Sequence, residues 1–458
     1  RPRNPLTVTP TATPTIVPTT GPTPGDHPVY LPHTLKSNAP PATPTPTATP
    51  ISTSVPTPTP TATAVPPLTG TPAARVWPDT TNGIHIFNDQ LDANLSEAQW
   101  HFAATRYAGT QKMVRSDADR LRAINPAFLI LHYRLGPGLG YRTIQGTCSP
   151  SGGYIHIVEG DNWVQEWPAP SALRDEWFYT LPGSGQPRVL NCDWGWYLMD
   201  LANTSWRTFW QGETLRQMGA NDDDGIFLDS LSVPNYLGAD HYVPALPDVD
   251  APFETAWAQR IDNWLAWLQT QPLGAYAILP NAGAWITTRD PTTYAAADGV
   301  MIEDFASWGD GSAFAREDWE LQMNRVLGLA SQGKIIIAQS YVTAAEDRMF
   351  ALGSYLLTKG SHSFLNLELD APPEWWPEYA IAIGTPLQPT PATIGVLAQG
   401  SLYRRSYSNG FVLLNPADSG APVTVPLGGT YNRVDPVGGG EVPVDGTAPG
   451  SLTYTAVS

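Results

Sequence analysis

Three short stretches of this chain end an apolar run on an acid or an amide. Gly225-Ile-Phe-Leu-Asp229 ends on a carboxylate, Ala275–Gly283 carries Asn281 near its end, and Gly299-Val-Met-Ile-Glu303-Asp304 ends on two acids. An apolar run bounded by turn residues reads as a strand buried on both faces. Open α/β sheets and barrels bind ligands at the C-terminal ends of such strands. Two carboxylates in one apolar cleft are driven apart in pKa, so that one is protonated and one ionised. Such a pair equips a site for glycosidic cleavage. One acid protonates the leaving oxygen, and the other attacks the anomeric carbon or activates water. Asp229 is the first candidate. Glu303 or Asp304 is the second, because successive side chains on a strand point to opposite faces. Glu303 is preferred, since Met301, Glu303 and Phe305 then share a face. The competing reading of Asp229 is a turn or helix cap.

The surrounding sequence must supply elements that bring these strand ends together. Strands are expected near residues 84, 110, 128, 225, 276, 299, 334 and 362, most of them followed by helices. That alternation is the pattern of a (β/α)8 TIM barrel, an α/β fold. Asn281, Asp304, Arg134, His132, Trp308 and Gln339 are candidate substrate contacts, with Asp89 and Asn366 as further rim groups. Asp222, Asp223 and Asp224 enter the fourth strand, and are expected as a solvated loop on the barrel floor. Residues 136–190 form an excursion too long for an ordinary βα connection, so a function or a subdomain is expected there. It is rich in aromatics, which suit the apolar faces of sugar rings. Trp257, Trp264 and Trp267 of the following helix read instead as core.

Flanking this unit are two regions of different composition. Residues 1–75 are mostly Pro, Thr and Ala, the composition of an extended polyproline-rich stalk, open to glycosylation on Thr. Residues 391–458 alternate in β style around Asn409-Gly410, a hairpin signal, and are expected as a small antiparallel β-domain. The barrel is then residues 76–390. The stalk implies an extracellular or cell-surface location, with attachment through the stalk. The chain opens on Arg1 rather than Met, as expected where an upstream segment has been removed.

Bulk properties narrow the class. The 458 residues carry a net charge of −17, which argues against nucleic acid and anionic membrane as partners. No apolar run approaches the ~20 residues of a membrane span. There is no metal-ligand spacing and no phosphate-cradling glycine motif, so no cofactor is expected. No GxSxG supports a serine triad. In an oxidising compartment Cys148 and Cys192 would pair, closing a loop of about 45 residues worth about 4 kcal/mol in the chain-entropy account. Two buried thiols are the alternative.

The segments GIFLDS, LPNAG and MIEDF, with WYLMD and WRTFW before them, resemble the glycosidase-like barrels of bacterial genomes known as glycosyl-hydrolase-like family fifteen. These are similar in turn to α-galactosidase-type and α-amylase-type barrels. The resemblance spans about residues 76–390. It implies Asp229 as nucleophile and Glu303 as acid/base, because α-galactosidase-like barrels place those roles on strands four and six. α-Amylase-like barrels place the acid on strand five, where this chain has Asn281. The expected activity is retaining hydrolysis of an oligo- or polysaccharide. The competing function is a catalytically silent barrel that binds glycan or builds a cell surface.

Overall fold

In a computed structural model of the protein the described residues are 75–92, 94–141, 154–155, 173–367, 372–416 and 423–458. The expected stalk, except for its last residue, lies outside them, as does most of the excursion, including Trp163, Trp167 and Cys148.

Six α-helices are described, and their starts follow from local capping. Helix α1 (Glu97–Arg106) begins at a capping box. The Ser96 hydroxyl accepts from the Gln99 N–H at 3.1 Å, and Gln99 Oε1 accepts from the Ser96 N–H at 2.9 Å. Helix α2 spans Arg115–Ile124. Helix α3 (Thr204–Asn221) starts where Asn203 Oδ1 accepts from the N–H groups of Ser205 and Trp206, and stops at Asp222 in the left-handed region. Helix α4 (Ala251–Gln269) is capped by Asp250. Helices α5 (Arg316–Ala330) and α6 (Ala345–Thr358) follow.

Seven of the described strands lie in two parallel sheets. One orders Gly109–Gln111, Leu129–Leu135, Gly225–Asp229 and Ala277–Pro280; the other orders Gly299–Ile302, Ile335–Gln339 and Ser363–Asn366. Parallel bridges join the sheet ends, Asn281 to Met301 on one side, and Ile86 to Leu365 and Phe87 to Gly109 on the other. Strand starts need glycine. A Cβ on Gly299 would sit 2.0 Å from the Ile335 carbonyl oxygen, so no larger residue fits that approach.

Side chains divide by the period of two. Phe87, Leu129, Leu131, Tyr133, Phe227, Leu279, Met301, Ile335, Ile337 and Phe364 pack together in a cluster to which no helix contributes. The intervening residues, such as Ile130, Ile226, Leu228, Ile278 and Val300, join a larger cluster with the helices. That second layer holds Trp257 and Trp264 of α4, with Trp264 against Trp210 at 4.8 Å between ring centroids. Burying an aromatic of this size contributes on the order of 2–3 kcal/mol.

The excursion contributes Gly138–Tyr141 and Tyr154–Ile155 to a five-stranded antiparallel sheet completed by Trp196–Leu198, Leu190–Asn191 and, at one edge, Tyr242–Val243. Trp177 from this region packs against Phe209 at 4.7 Å and is core rather than cleft. Cys192 is disulfide-bonded, and its expected partner Cys148 lies outside the described residues.

Beyond residue 390 every strand pairing is antiparallel. Tyr407 pairs with Gly410, so the turn is Ser408-Asn409 and Gly410 already belongs to the returning strand. These strands dock on α6. Arg405 Nη1 donates to the carbonyls of Leu356, Leu357 and Lys359 at the helix C-terminus.

The expected solvated floor is corrected. Asp223 and Asp224 are 2% and 1% exposed. Asp224 is held by Arg75 and Arg122, each at 2.8 Å, and accepts from the Ile130 N–H at 2.8 Å. Asp222 is held by Arg75 at 3.0 Å. Asp222 and Asp224 brace the strand starts through these arginines, because a carboxylate as deep as Asp224 must be paired.

Candidate functional site

The strand ends meet around a recess lined by Asp229, Asn281 and Glu303. Its wall is completed by Asp89, Lys112, Tyr133 and Tyr341, and its apolar lining is Phe227 and Met301. The alternation explains the composition. Phe227 lies two residues before Asp229, Leu279 two before Asn281, and Met301 two before Glu303. The strand-only cluster therefore continues upward into polar groups.

A run of neutral donors organises the two acids. The Asn281 Nδ2 donates to Asp229 Oδ1 at 2.9 Å and to Glu303 Oε2 at 2.7 Å. Asp229 Oδ1 also accepts from the Ser230 N–H at 2.8 Å, while Asp229 Oδ2 accepts from the Tyr133 hydroxyl at 2.6 Å. The Tyr341 hydroxyl donates to Glu303 Oε1 at 2.7 Å and accepts from Gln339 Nε2. Among the described residues no cation is ion-paired with Asp229 or Glu303. Each acid is followed by a non-glycine residue in the left-handed region, Ser230 at φ 54° and Asp304 at φ 55°. Strain of this kind costs on the order of 1–3 kcal/mol and concentrates at working sites.

Electrostatics separates the acids. Burial, then the neighbouring charge of Asp229, then that of Asp304, pushes Glu303 up to about 8. At neutral pH Glu303 therefore holds a proton. Burial alone pushes Asp304 up to about 7. Asp304 does not line the recess, because the strand alternation turns it to the other side from Glu303.

The remaining predicted contacts scatter. His132 and Arg134 are corrections: both are fully buried on the helix side of their strand, not at the rim. His132 Nδ1 is 2.9 Å from Asp223 Oδ2, and Arg134 Nε donates to Thr214 of α3 at 3.3 Å. Burial, then the charge of Arg134, drives His132 well below its usual range, so its contact with Asp223 is a neutral hydrogen bond. Trp308 is half-buried against Phe314 at 4.9 Å and does not line the recess. Gln339 reaches Glu303 only through Tyr341, and accepts from Asn366 Nδ2 at 3.4 Å.

Tyr133, Lys112 and Tyr341 were not foreseen. Tyr133 sits between His132 and Arg134 in sequence and takes the opposite face. Its signal was the series Leu129, Leu131, Tyr133, but both faces of that strand are buried, so polarity did not mark the interior. Lys112 and Tyr341 lie one and two residues past their strands, where loop geometry decides direction. Lys112 is itself in the left-handed region at φ 61°. Among the described residues no cluster of three or more acids, histidines or cysteines is arranged to hold a metal. No described helix is long and apolar enough to cross a membrane.

Two carboxylates of unequal proton affinity, joined by one amide at the C-terminal ends of parallel strands, make a site of the glycoside-acting class. The chain belongs to hypothetical glycosyl hydrolase family 15, which matches residues 122–411. No curated protein matches it in sequence. Solved structures similar to it include a Paenibacillus sp. cycloisomaltooligosaccharide glucanotransferase complexed with cycloisomaltoheptaose, 12% identical with a TM-score of 0.35 over 58% of this chain and 39% of that one. Another is the galactosidase domain of an α-galactosidase-sucrose kinase, 8% identical with a TM-score of 0.35 over 63% and 38%. A third is Cryptosporidium parvum pyruvate kinase in complex with ADP, 11% identical with a TM-score of 0.30 over 66% of each chain. The chain thus spans well under half of the glucanotransferase and galactosidase chains. Likenesses this weak, to enzymes this different, say nothing about activity.

Proposed function

We propose that the protein is a retaining glycoside hydrolase built on a (β/α)8 barrel, with Asp229 as nucleophile and Glu303 as acid/base. The observation that carries this reading is the bridging amide of Asn281. One nitrogen is 2.9 Å from an Asp229 oxygen and 2.7 Å from a Glu303 oxygen, so those two oxygens are at most about 5.6 Å apart. Retaining enzymes hold their carboxyls about 5–5.5 Å apart, whereas inverting ones need about 6.5–9.5 Å to admit water. The barrel reading is supported by the parallel bridges at both junctions between the two sheets.

Lone-pair counting assigns the attacking atom. Asp229 Oδ1 accepts two hydrogen bonds and is saturated, while Oδ2 accepts one, from Tyr133. Oδ2 keeps a lone pair for the anomeric carbon. Glu303 gives its proton to the leaving oxygen, and Asp229 Oδ2 forms the glycosyl ester. Glu303, now ionised, then takes a proton from the water that opens the ester. The absence of any cation paired with either acid among the described residues favours chemistry over a silent glycan-binding role.

The domain division at about 75 and 390, and an extracellular site of action on oligo- or polysaccharide with the stalk as tether, belong to the same proposal. Their support is the Pro/Thr composition of residues 1–75 and the switch to antiparallel pairing after 390. The test is to screen the chain on a polysaccharide and aryl-glycoside panel, then trap turnover with the 2-deoxy-2-fluoro glycosyl fluoride of the sugar that is cleaved. Labelled Asp229 and a product of unchanged anomeric configuration are expected. A first-formed product of inverted configuration would overturn retention, and cleavage that survives in Asp229→Asn would overturn the site.

A further inference from the structure

Resting on the glycoside-acting reading of the recess, the geometry points to Asp89, held by Lys112 and Gln111, as the residue that selects the sugar: it anchors a hydroxyl of an uncharged sugar ring and excludes uronic acids. Lys112 Nζ is 2.9 Å from Asp89 Oδ2, and Gln111 Nε2 donates to Asp89 Oδ1. Both Asp89 and Lys112 line the same recess as Asp229 and Glu303.

A carboxylate has about four acceptor positions, and the two bonds to Asp89 leave room for sugar hydroxyls to donate. The ammonium at 2.9 Å and the Gln111 amide also fix the direction in which that carboxylate faces the recess. Lys112 lies 5.2 Å from the centre of the Tyr133 ring, and Tyr133 donates to Asp229. A run of contacts therefore links the selecting acid to the nucleophile along one wall. Asp89 lies at the end of the first strand segment, away from Asp229 and Glu303 in the strand order, so it meets a part of the ring remote from the anomeric carbon. The recess lining holds three acids, Asp89, Asp229 and Glu303, and one cation, Lys112, whose ammonium already faces Asp89. A sugar carboxylate brought here would be stripped of water among these acids and would have to compete with Asp89 for the one lysine in the lining. A neutral hydroxyl loses little.

This pair is also poorly explained as a stabilising element. The Lys112 side chain is 3% exposed, and a buried ion pair contributes little net stability once desolvation is counted. Lys112 reaches its position through a left-handed backbone that a lysine rarely adopts.

The experiment measures binding separately from cleavage. The Glu303→Gln chain is titrated with neutral monosaccharides and with the matching uronic acids, followed by saturation-transfer NMR and calorimetry. The titration is repeated in the added presence of Asp89→Asn or Lys112→Met. At least one neutral sugar is expected to bind, its uronic counterpart at least 10-fold more weakly. Asp89→Asn should weaken the neutral sugar about 10- to 100-fold and shrink the preference over the uronate. Lys112→Met, which removes one of the two groups holding Asp89, should also weaken the neutral sugar. Equal binding of the uronate, an unchanged affinity in Asp89→Asn, or no neutral sugar bound at all would each overturn the inference. If the binding pattern holds but the wild-type chain cleaves no glycoside, the proposed hydrolase activity fails and the selection by Asp89 stands.

Discussion

The strand Gly225–Asp229 has acids at both ends, and the two ends treat them differently. At its start Asp222 and Asp224 are held by the guanidinium groups of Arg75 and Arg122. At its end Asp229 is surrounded by neutral donors, from Tyr133, Asn281 and the Ser230 backbone. Guanidinium partners fix a carboxylate's charge and geometry and leave it inert. Neutral dipoles orient a carboxylate while leaving its charge to meet a developing oxocarbenium ion. The same residue type thus braces the fold at one end and, on the proposed mechanism, supplies the nucleophile at the other.

That contrast breaks most sharply at Asp229. Asp229→Asn should lower kcat by roughly 10⁴-fold or more, with thermal unfolding nearly unchanged. A loss of stability in place of a loss of rate would put Asp229 with the floor acids. Glu303→Gln should cost about 10²–10⁴-fold on substrates with poor leaving groups and far less on activated aryl glycosides. The wild-type rate should fall as the pH rises through about 8, where Glu303 loses its proton, and that limb should vanish in the variant.

The floor should give the opposite signature. Arg122→Met leaves the buried Asp224 without one of its two guanidinium partners, for a destabilisation of about 3–5 kcal/mol in urea unfolding. Activity per folded molecule should be retained. A smaller effect follows from linkage. Folded Glu303 keeps its proton to about 8, against 4.5 for an ordinary glutamate. The native state then binds more protons than the unfolded state between those values. The stability this group confers is full below about 4.5 and is lost as the pH rises through about 8. Glu303→Gln should flatten that slope, read as urea midpoint against pH. Smallest of all, Tyr133→Phe removes one donor from Asp229 and should cost about 10-fold in kcat/KM, roughly 1.4 kcal/mol.

Much of this was legible beforehand, for a simple reason. Runs such as Gly225–Asp229 and Gly299–Glu303 carry few polar residues, so an acid closing the run stands out. Asn281 was visible on the same grounds. The strand Leu129–Leu135 shows the limit. It is buried on both faces, and a one-residue change of face exchanges Tyr133 for His132 and Arg134. The polar residues drew attention and the interior face went to the tyrosine. Lys112 and Tyr341 lie in loops, where direction is set by backbone turns that carry no periodic pattern.

By itself, then, the sequence determined the alternation of strands and helices and the identity of the acids that end two strands, because both follow from local periodicity and from where an apolar run stops. Only the tertiary structure decided which acids face guanidinium groups and which face neutral donors. That depends on what lies across space from each carboxylate, on Arg75 some 149 residues from Asp224 and on Asn281 some 52 residues from Asp229. No local pattern encodes such partners, since hydrogen-bond geometry is set by the register of strands far apart in the chain.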